Sequence, residues 1–328
     1  KIMEVFQNLH LEDVEIRTNQ DSDVKPYIQE TNIKWVKVSL NENLKEVQTA
    51  LQKSYSNKLK AMVELGYLKK DYIYKFSKTQ LLKLQGQLHH EIGKGVKEFN
   101  LLKSLSLAAE AMKVQHALEL VETQGLTALQ EYFDSIQAQA AKSSSKAVKN
   151  LVRDYHFKEA QIKTKSLIEN AVEHPKLPKL KEILKEIITE QNHKKTKIII
   201  FNQFRDMANK IVEELTKIPY LKPKLFVGQA KKKGKGLSQK QQKEIIEQFK
   251  QNEFNILVTT SVAEEGLDIP QVNTVIFYEP IPSAIRHIQR RGRTGRQDKG
   301  QVIILMAKGT RDEGYRWSAH HKEKRMYR

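Results

Sequence analysis

Lys197-Ile198-Ile199-Ile200-Phe201 opens the pattern that decides the fold. Consecutive apolar residues, mostly β-branched and bounded by polar ones, read as a short strand buried on both faces. Helical spacing follows from Asp206 to Lys217, then a second apolar run, Leu225-Phe226-Val227. Another helical stretch, Ser238 to Lys250, leads to a strand from Ile256 to Thr259, and strands from Thr274 to Tyr278 and from Val302 to Met306 complete the series. Short buried strands alternating with helices specify a parallel α/β sheet. Ligands of such sheets bind beyond the carboxyl ends of the strands, and the polar motifs of this chain are all expected there.

Upstream, residues 1–10 read as a helix end, and Ile33 to Leu40 alternates apolar and polar residues as a half-buried strand does. From about Leu44 to His174 the character changes: proline is absent between Pro26 and Pro175 and helical spacing dominates. Leu107, Ala111, Val114, Leu118 and Val121 mark one buried stripe, Gly125 a helix stop, and residues 142–146 a polar break. An all-helical domain of several antiparallel helices follows, with no catalytic constellation. Its lysines (Lys69, Lys70, Lys75, Lys78, Lys83, Lys94 and Lys97), with Tyr72, Tyr74 and Phe76 among them, suit either a surface that tracks a nucleic-acid backbone or a solvated face over an aromatic core.

The 328 residues carry a formal net charge of +18. Such an excess attracts polyanions, most often nucleic acid, although a lysine-rich solvated surface gives the same sum. There is no cysteine, which excludes disulfides and thiolate metal sites, and the ten histidines show no metal-ligand spacing. No apolar run has the length of a membrane span and the start does not read as a signal peptide, so a cytoplasmic, nucleoid-associated protein is expected.

Chemistry concentrates near the end of the chain. Gln289-Arg290-Arg291-Gly292-Arg293-Thr294-Gly295-Arg296 holds four arginines and two glycines. Arginines supply planar, permanently charged forks for phosphate oxygens, and glycines let the backbone turn and approach a ligand. About twenty residues earlier lies Thr259-Thr260-Ser261-Val262-Ala263-Glu264-Glu265-Gly266-Leu267-Asp268-Ile269-Pro270. These two strings resemble motifs V and VI of superfamily 2 helicases, and Phe201-Asn202-Gln203-Phe204-Arg205 sits where motif IV belongs. Phe226-Val227-Gly228-Gln229-Ala230, Gly236-Leu237-Ser238-Gln239, Phe277-Tyr278-Glu279-Pro280, Ala307-Lys308-Gly309-Thr310-Arg311-Asp312-Glu313 and Glu122-Thr123-Gln124-Gly125-Leu126 narrow the likeness to the Hef/FANCM family, with archaeal Hef the nearest in flavour.

The resemblance implies a RecA-like parallel sheet flanked by helices, with an all-helical inserted domain. Residues 1–30 are then the tail of a first RecA-like domain and a linker, and 31–43 the first strand of the second such domain. Residues 44–174 would be the thumb-like insert, 175–308 the rest of the second RecA-like domain, and 309–328 a helical extension. It further implies that Arg293 and Arg296 are arginine fingers reaching the γ-phosphate of ATP, with Gln289 positioning phosphate or water. Gly266 and Asp268 would meet the nucleotide, and Thr260, Arg205, Gln229, Ser238 and Gln239 a nucleic-acid strand. The implied partner is DNA, forked or branched; the alternatives are an RNA helicase of the Dicer/RIG-I clan or a binding module with no motor role. The sequence contains no Gly-x-x-x-x-Gly-Lys-[Ser/Thr] and no acidic box. ATP and Mg2+ are therefore expected to be held mainly by the first RecA-like domain, with this chain a fragment that does not hydrolyse ATP alone.

Overall fold

The computed structural model describes the chain apart from residues 1, 14, 16–20, 24–31, 73–75, 97, 143–144, 229–235, 264–268, 295–299 and 327–328. Six strands, β1 (Asn32–Ser39), β2 (Ile198–Phe201), β3 (Pro223–Phe226), β4 (Ile256–Thr259), β5 (Thr274–Phe277) and β6 (Gln301–Lys308), form one sheet. Their order is β1-β6-β5-β2-β4-β3 and every pairing is parallel. β2, β4 and β5 are buried at all four positions, as their uninterrupted apolar runs require. Ile198, Ile200, Ile256, Val258 and Ile276 pack under α8 (Lys176–Ile187) and α9 (Arg205–Thr216). Ile199, Phe201, Leu257, Val275 and Phe277 face the other way, against α10 (Gln239–Lys250).

The two edges of the sheet are built differently. β3 begins at Pro223, which has no N–H to donate and is tolerated at an edge. β1 pairs with β6 along all eight residues and keeps the alternation read from the sequence, with Val36 and Val38 buried and Lys37 exposed.

Between β1 and β2 the chain builds a helical bundle: α2 (Glu42–Glu64), α3 (Lys78–Gly93), α4 (Phe99–Thr123), α5 (Leu126–Lys142), α6 (Lys146–Arg153) and α7 (Tyr155–Glu169). α4 is its axle. The spacing predicts one buried stripe, yet every residue from Ala117 to Leu126 is buried, because α2, α3, α5 and α6 surround this helix and α12 (Arg311–Met326) crosses its end. The predicted stop at Gly125 lies at φ +94°, and a Cβ there would sit 3.1 Å from Cβ of His174. A left-handed glycine thus ends the axle where the chain must turn. Within the bundle Lys58 Nζ lies 3.1 Å from both Glu110 and Asp154, and Asp154 also caps α7 by accepting from Phe157 N at 2.8 Å. α1 (Ile2–Asn8) is the one helix preceding β1 among the described residues.

Candidate functional site

With all strands parallel, the segments after β2, β3, β4 and β5 emerge at one edge, where the sequence expects ligands. Arg205 is the first residue of α9, and its Nη2 donates to the carbonyl of Gly228 at 2.8 Å. One donor of its guanidinium therefore ties the loop after β2 to the loop after β3. Thr260 is 7% exposed, and its carbonyl accepts from Thr259 Oγ1 at 3.1 Å. Ser238 and Gln239 lie at the start of α10. Ser238 Oγ accepts from Gln241 N at 3.2 Å and Ser238 N donates to Gln241 Oε1 at 2.9 Å, a reciprocal capping box. The Ser238 side chain is occupied by that cap, and Gln239 is exposed. Gln229 lies outside the described residues, as do Gly266, Asp268 and Arg296.

The arginine cluster corrects the sequence reading in three respects. The first concerns place. α11 (Ala284–Arg291) runs antiparallel to the strands, as a crossover between parallel strands must, and carries the chain back to their amino-terminal edge. There Val272 N donates to the carbonyl of Arg293 at 3.1 Å, and Thr294 Oγ1 donates to the carbonyl of Val272 at 2.6 Å. Val272 lies two residues before the start of β5, so Arg293 stands on the opposite edge from Arg205 and Thr260, and the expectation of one shared edge fails.

The second concerns uniformity, because the arginines divide their work. Arg290 is 1% exposed, with its guanidinium 4.7 Å from the ring centroid of Phe201 and 5.5 Å from that of Phe277. It is core material, its charge set against aromatic faces. Arg291 pairs with Glu323 of α12 at 2.7 Å. Arg293 is half-buried in the turn that follows, and Gln289 is half-buried on α11. The third concerns glycine. Gly292 caps α11 at φ −63°, a conformation open to any residue, and a Cβ there would come no closer than 3.4 Å to its neighbours.

Glu279, two residues beyond the end of β5, was given no role by the sequence and is the electrostatic centre of the carboxyl edge. It is fully buried, and burial pushes its carboxyl up to about 7, against the opposing pull of Lys176 and Arg290. His287 of α11 is buried too, and desolvation lowers it to about 4, with the charges of Arg291 and Arg290 acting in the same direction. The sequence signal for Glu279 was a carboxylate directly after a fully apolar strand. Such a group is either solvated at the strand mouth or bonded beneath it, and the string alone does not distinguish the two.

Chemically, the amino edge offers a rigidly rooted cation suited to phosphate oxygens, and the carboxyl edge offers backbone groups, Arg205 and a threonine. Among the described residues no group of three or more His, Asp or Glu could hold a metal ion. No described helix is long and apolar enough to cross a membrane.

Comparison with known proteins adds identity to this geometry. The helicase conserved C-terminal domain family matches residues 176–298, and the family described as a putative ATP-dependent RNA helicase helical bundle matches residues 43–174. The chain is 42% identical over 328 residues to a putative ATP-dependent RNA helicase, MJ1505, of Methanocaldococcus jannaschii, covering 100% of this chain and 40% of that protein. It is 30% identical to the ATP-dependent DNA helicase mph1 of Neurospora crassa, covering 96% of this chain and 28% of that protein. The solved Hef helicase domain of Pyrococcus furiosus superposes with a TM-score of 0.77 at 44% identity, over 97% of this chain and 64% of that one. The chain thus spans well under half of these two relatives, and its sheet is the RecA-like sheet of a helicase C-terminal domain.

Proposed function

The chain belongs to the Hef/FANCM family of superfamily 2 helicases, and from that premise we propose that it is the second motor half and nucleic-acid-gripping insert of an ATP-dependent DNA helicase or translocase acting on forked or branched DNA in repair. The observation that carries the reading is the separation of the two edges. Arg293 lies in the turn at one edge, its backbone tied to Val272 beside the Thr294 anchor, while Arg205 and Thr260 occupy the other. A motor needs such an arrangement: one surface for nucleotide, a second for the strand, and a rigid sheet between them.

In this reading Arg293 and Arg296 are the fingers, with Gln289, Gly266 and Asp268 completing the chain's share of the nucleotide site. ATP supplies a γ-phosphoryl group whose transfer spreads charge over its oxygens, and cations held in a dry cleft stabilise that charge. The chain's own contribution is to hold the Arg293 guanidinium still, since a pre-organised donor needs no reorganisation during reaction. ATP and Mg2+ would be held mainly by a first RecA-like domain in the same longer protein. This sequence has no Walker A string, so the chain by itself is expected to turn over no ATP. Thr260, Arg205, Gln229 and Gln239 would meet strand phosphates; Ser238 serves through its cap and backbone. The bundle's exposed Lys69, Lys70, Lys83 and Lys94 would add phosphate contacts. The 31–43, 44–174, 175–308 and 309–328 segments would be the working modules.

The name of one relative specifies RNA and that of another DNA, so the substrate needs its own test. Binding of this chain to forked DNA and to double-stranded RNA across a salt series is the measurement. Tighter binding to the fork at every salt concentration supports the proposal; preference for RNA at matched salt transfers it to the RNA reading. ATP turnover by the purified chain, stimulated by DNA, would overturn the half-site assignment.

A further inference from the structure

Two strings that carry the family likeness, 122–126 and 307–313, meet at the joint between bundle and sheet, and the contacts there are polar and buried. Gln124, just past the end of α4, accepts through Oε1 from Asn202 Nδ2 at 3.3 Å. The same Nδ2 lies 3.3 Å from Glu279 Oε2, and Glu279 Oε1 accepts from Gln203 N at 2.5 Å. Asn202 Oδ1 accepts from Phe204 N at 2.8 Å. Gln124, Asn202 and Glu279 are at most 2% exposed. On the bundle side Glu122 accepts from Gln48 Nε2 at 2.9 Å and from Arg311 N at 3.0 Å, and Tyr315 OH donates to Glu119 at 2.9 Å. On the sheet side Asp312 meets Lys176 at 2.5 Å and accepts from Ala307 N at 2.8 Å.

Attachment alone does not require this chemistry, since apolar contacts of Val38, Leu40, Ala307 and Phe204 already join the bundle core to the sheet. Apolar contacts tolerate sliding. A chain of buried donors and acceptors does not, because a displacement of about 1 Å breaks the bonds and leaves desolvated groups unpaired. Buried polar networks of this kind select one arrangement more than they add stability.

We infer that Gln124, Asn202 and Glu279 are positioning residues that lock the helical bundle in one orientation on the sheet, so that the bundle's basic surface and the Arg205 loop present a single rigid track to a nucleic-acid strand. The track rests on the reading proposed above; the lock does not. Asn202 is the pivot, since its amide reaches Gln124 on the bundle and Glu279 on the sheet while its carbonyl oxygen holds the turn that leads into Arg205.

The chain lacks cysteine, so spin labels attach cleanly at Ser135→Cys on α5 and Lys243→Cys on α10, both exposed. Double electron–electron resonance on the 328-residue chain should give one narrow distance for the otherwise unaltered protein. Gln124→Leu, which keeps bulk but removes the acceptor, should broaden the distribution about twofold or split it. At pH 8.5, above the value of about 7 to which burial raises the carboxyl, Glu279→Gln, which keeps shape and replaces one acceptor by a donor, should do the same, with far-UV circular dichroism unchanged in both. Fork affinity should fall about tenfold in the Gln124 variant, because two linked surfaces lose their common geometry. Narrow, unshifted distributions in both variants would overturn the lock, and so would failure of both to fold, which would make these residues core and nothing more. Absence of fork binding by the unaltered chain would refute the proposed function while leaving the resonance result to decide the lock.

Discussion

Replacing Glu279 with glutamine should change how stability depends on pH, in a window and with a sign that the structure sets. Burial raises this carboxyl from 4.5 to about 7, the pull of Lys176 and Arg290 offsetting part of the rise. A folded-state value above the unfolded one means that folding favours the protonated form. The associated stability is complete below about 4.5 and is lost as pH rises through about 7. At about 1.4 kcal/mol for each pH unit, the ceiling is about 3 kcal/mol between pH 5 and pH 8.5. Glu279→Gln cannot titrate and also loses an acceptor, but that loss is a constant offset. Other buried groups do not obscure the comparison. His174 and His287, lowered by burial to about 3 and about 4, act with the opposite sign below 6.5 and are common to both proteins. Urea unfolding of both proteins at pH steps from 5 to 8.5 gives the difference directly. The advantage of the unaltered chain over the variant should shrink steadily across the window, by up to about 3 kcal/mol. A flat difference would mean that Lys176 and Arg290 keep Glu279 ionised throughout and that burial does not govern its protonation.

Other expectations follow from single contacts. Gly292→Ala should fold as well as the unaltered chain or gain up to about 1 kcal/mol, since its φ of −63° is open to any residue and a Cβ meets nothing closer than 3.4 Å; any loss of ATPase in the longer helicase then reports close approach of ligand to backbone. Gly125→Ala should lose about 2 kcal/mol or more by urea unfolding, because φ is +94° and His174 stands 3.1 Å from the new Cβ. Lys176→Met leaves the buried Asp312 carboxylate without its cation and should cost about 3–5 kcal/mol. Adding Asp312→Asn, which preserves an acceptor for Ala307 N, should restore about 2 kcal/mol in a double-mutant cycle, and additive losses would show that the pair is not coupled.

The alternation of buried strands and helices was legible because both faces of β2, β4 and β5 are covered, leaving apolar runs with no other reading. Gly125 was legible as a stop for a local reason, the left-handed turn. What eluded the string was the third dimension. Arg290 reads like its neighbours Arg291 and Arg293, and only the convergence of Phe201 and Phe277 beneath α11 makes it core. The placement of Arg293 on the amino-terminal edge follows from the return of α11, which the linear order contains but a list of motifs conceals. Gln124 and Glu279 lie 155 positions apart in sequence and share one asparagine, a meeting no spacing rule announces. Charge pointed to a polyanion without an address, because lysines of the bundle and arginines of the sheet contribute alike to the +18 total.

In the proposed function Arg293 stabilises phosphoryl transfer at a site completed by another RecA-like domain. Single-turnover ATP hydrolysis by the longer helicase carrying Arg293→Ala, measured with saturating forked DNA, tests it most directly. The chemical step should slow by about 10³-fold or more, with fork affinity and unfolding midpoint unchanged. A rate within about threefold of the unaltered enzyme would contradict it, since a finger that reached the phosphoryl group could not be removed so cheaply.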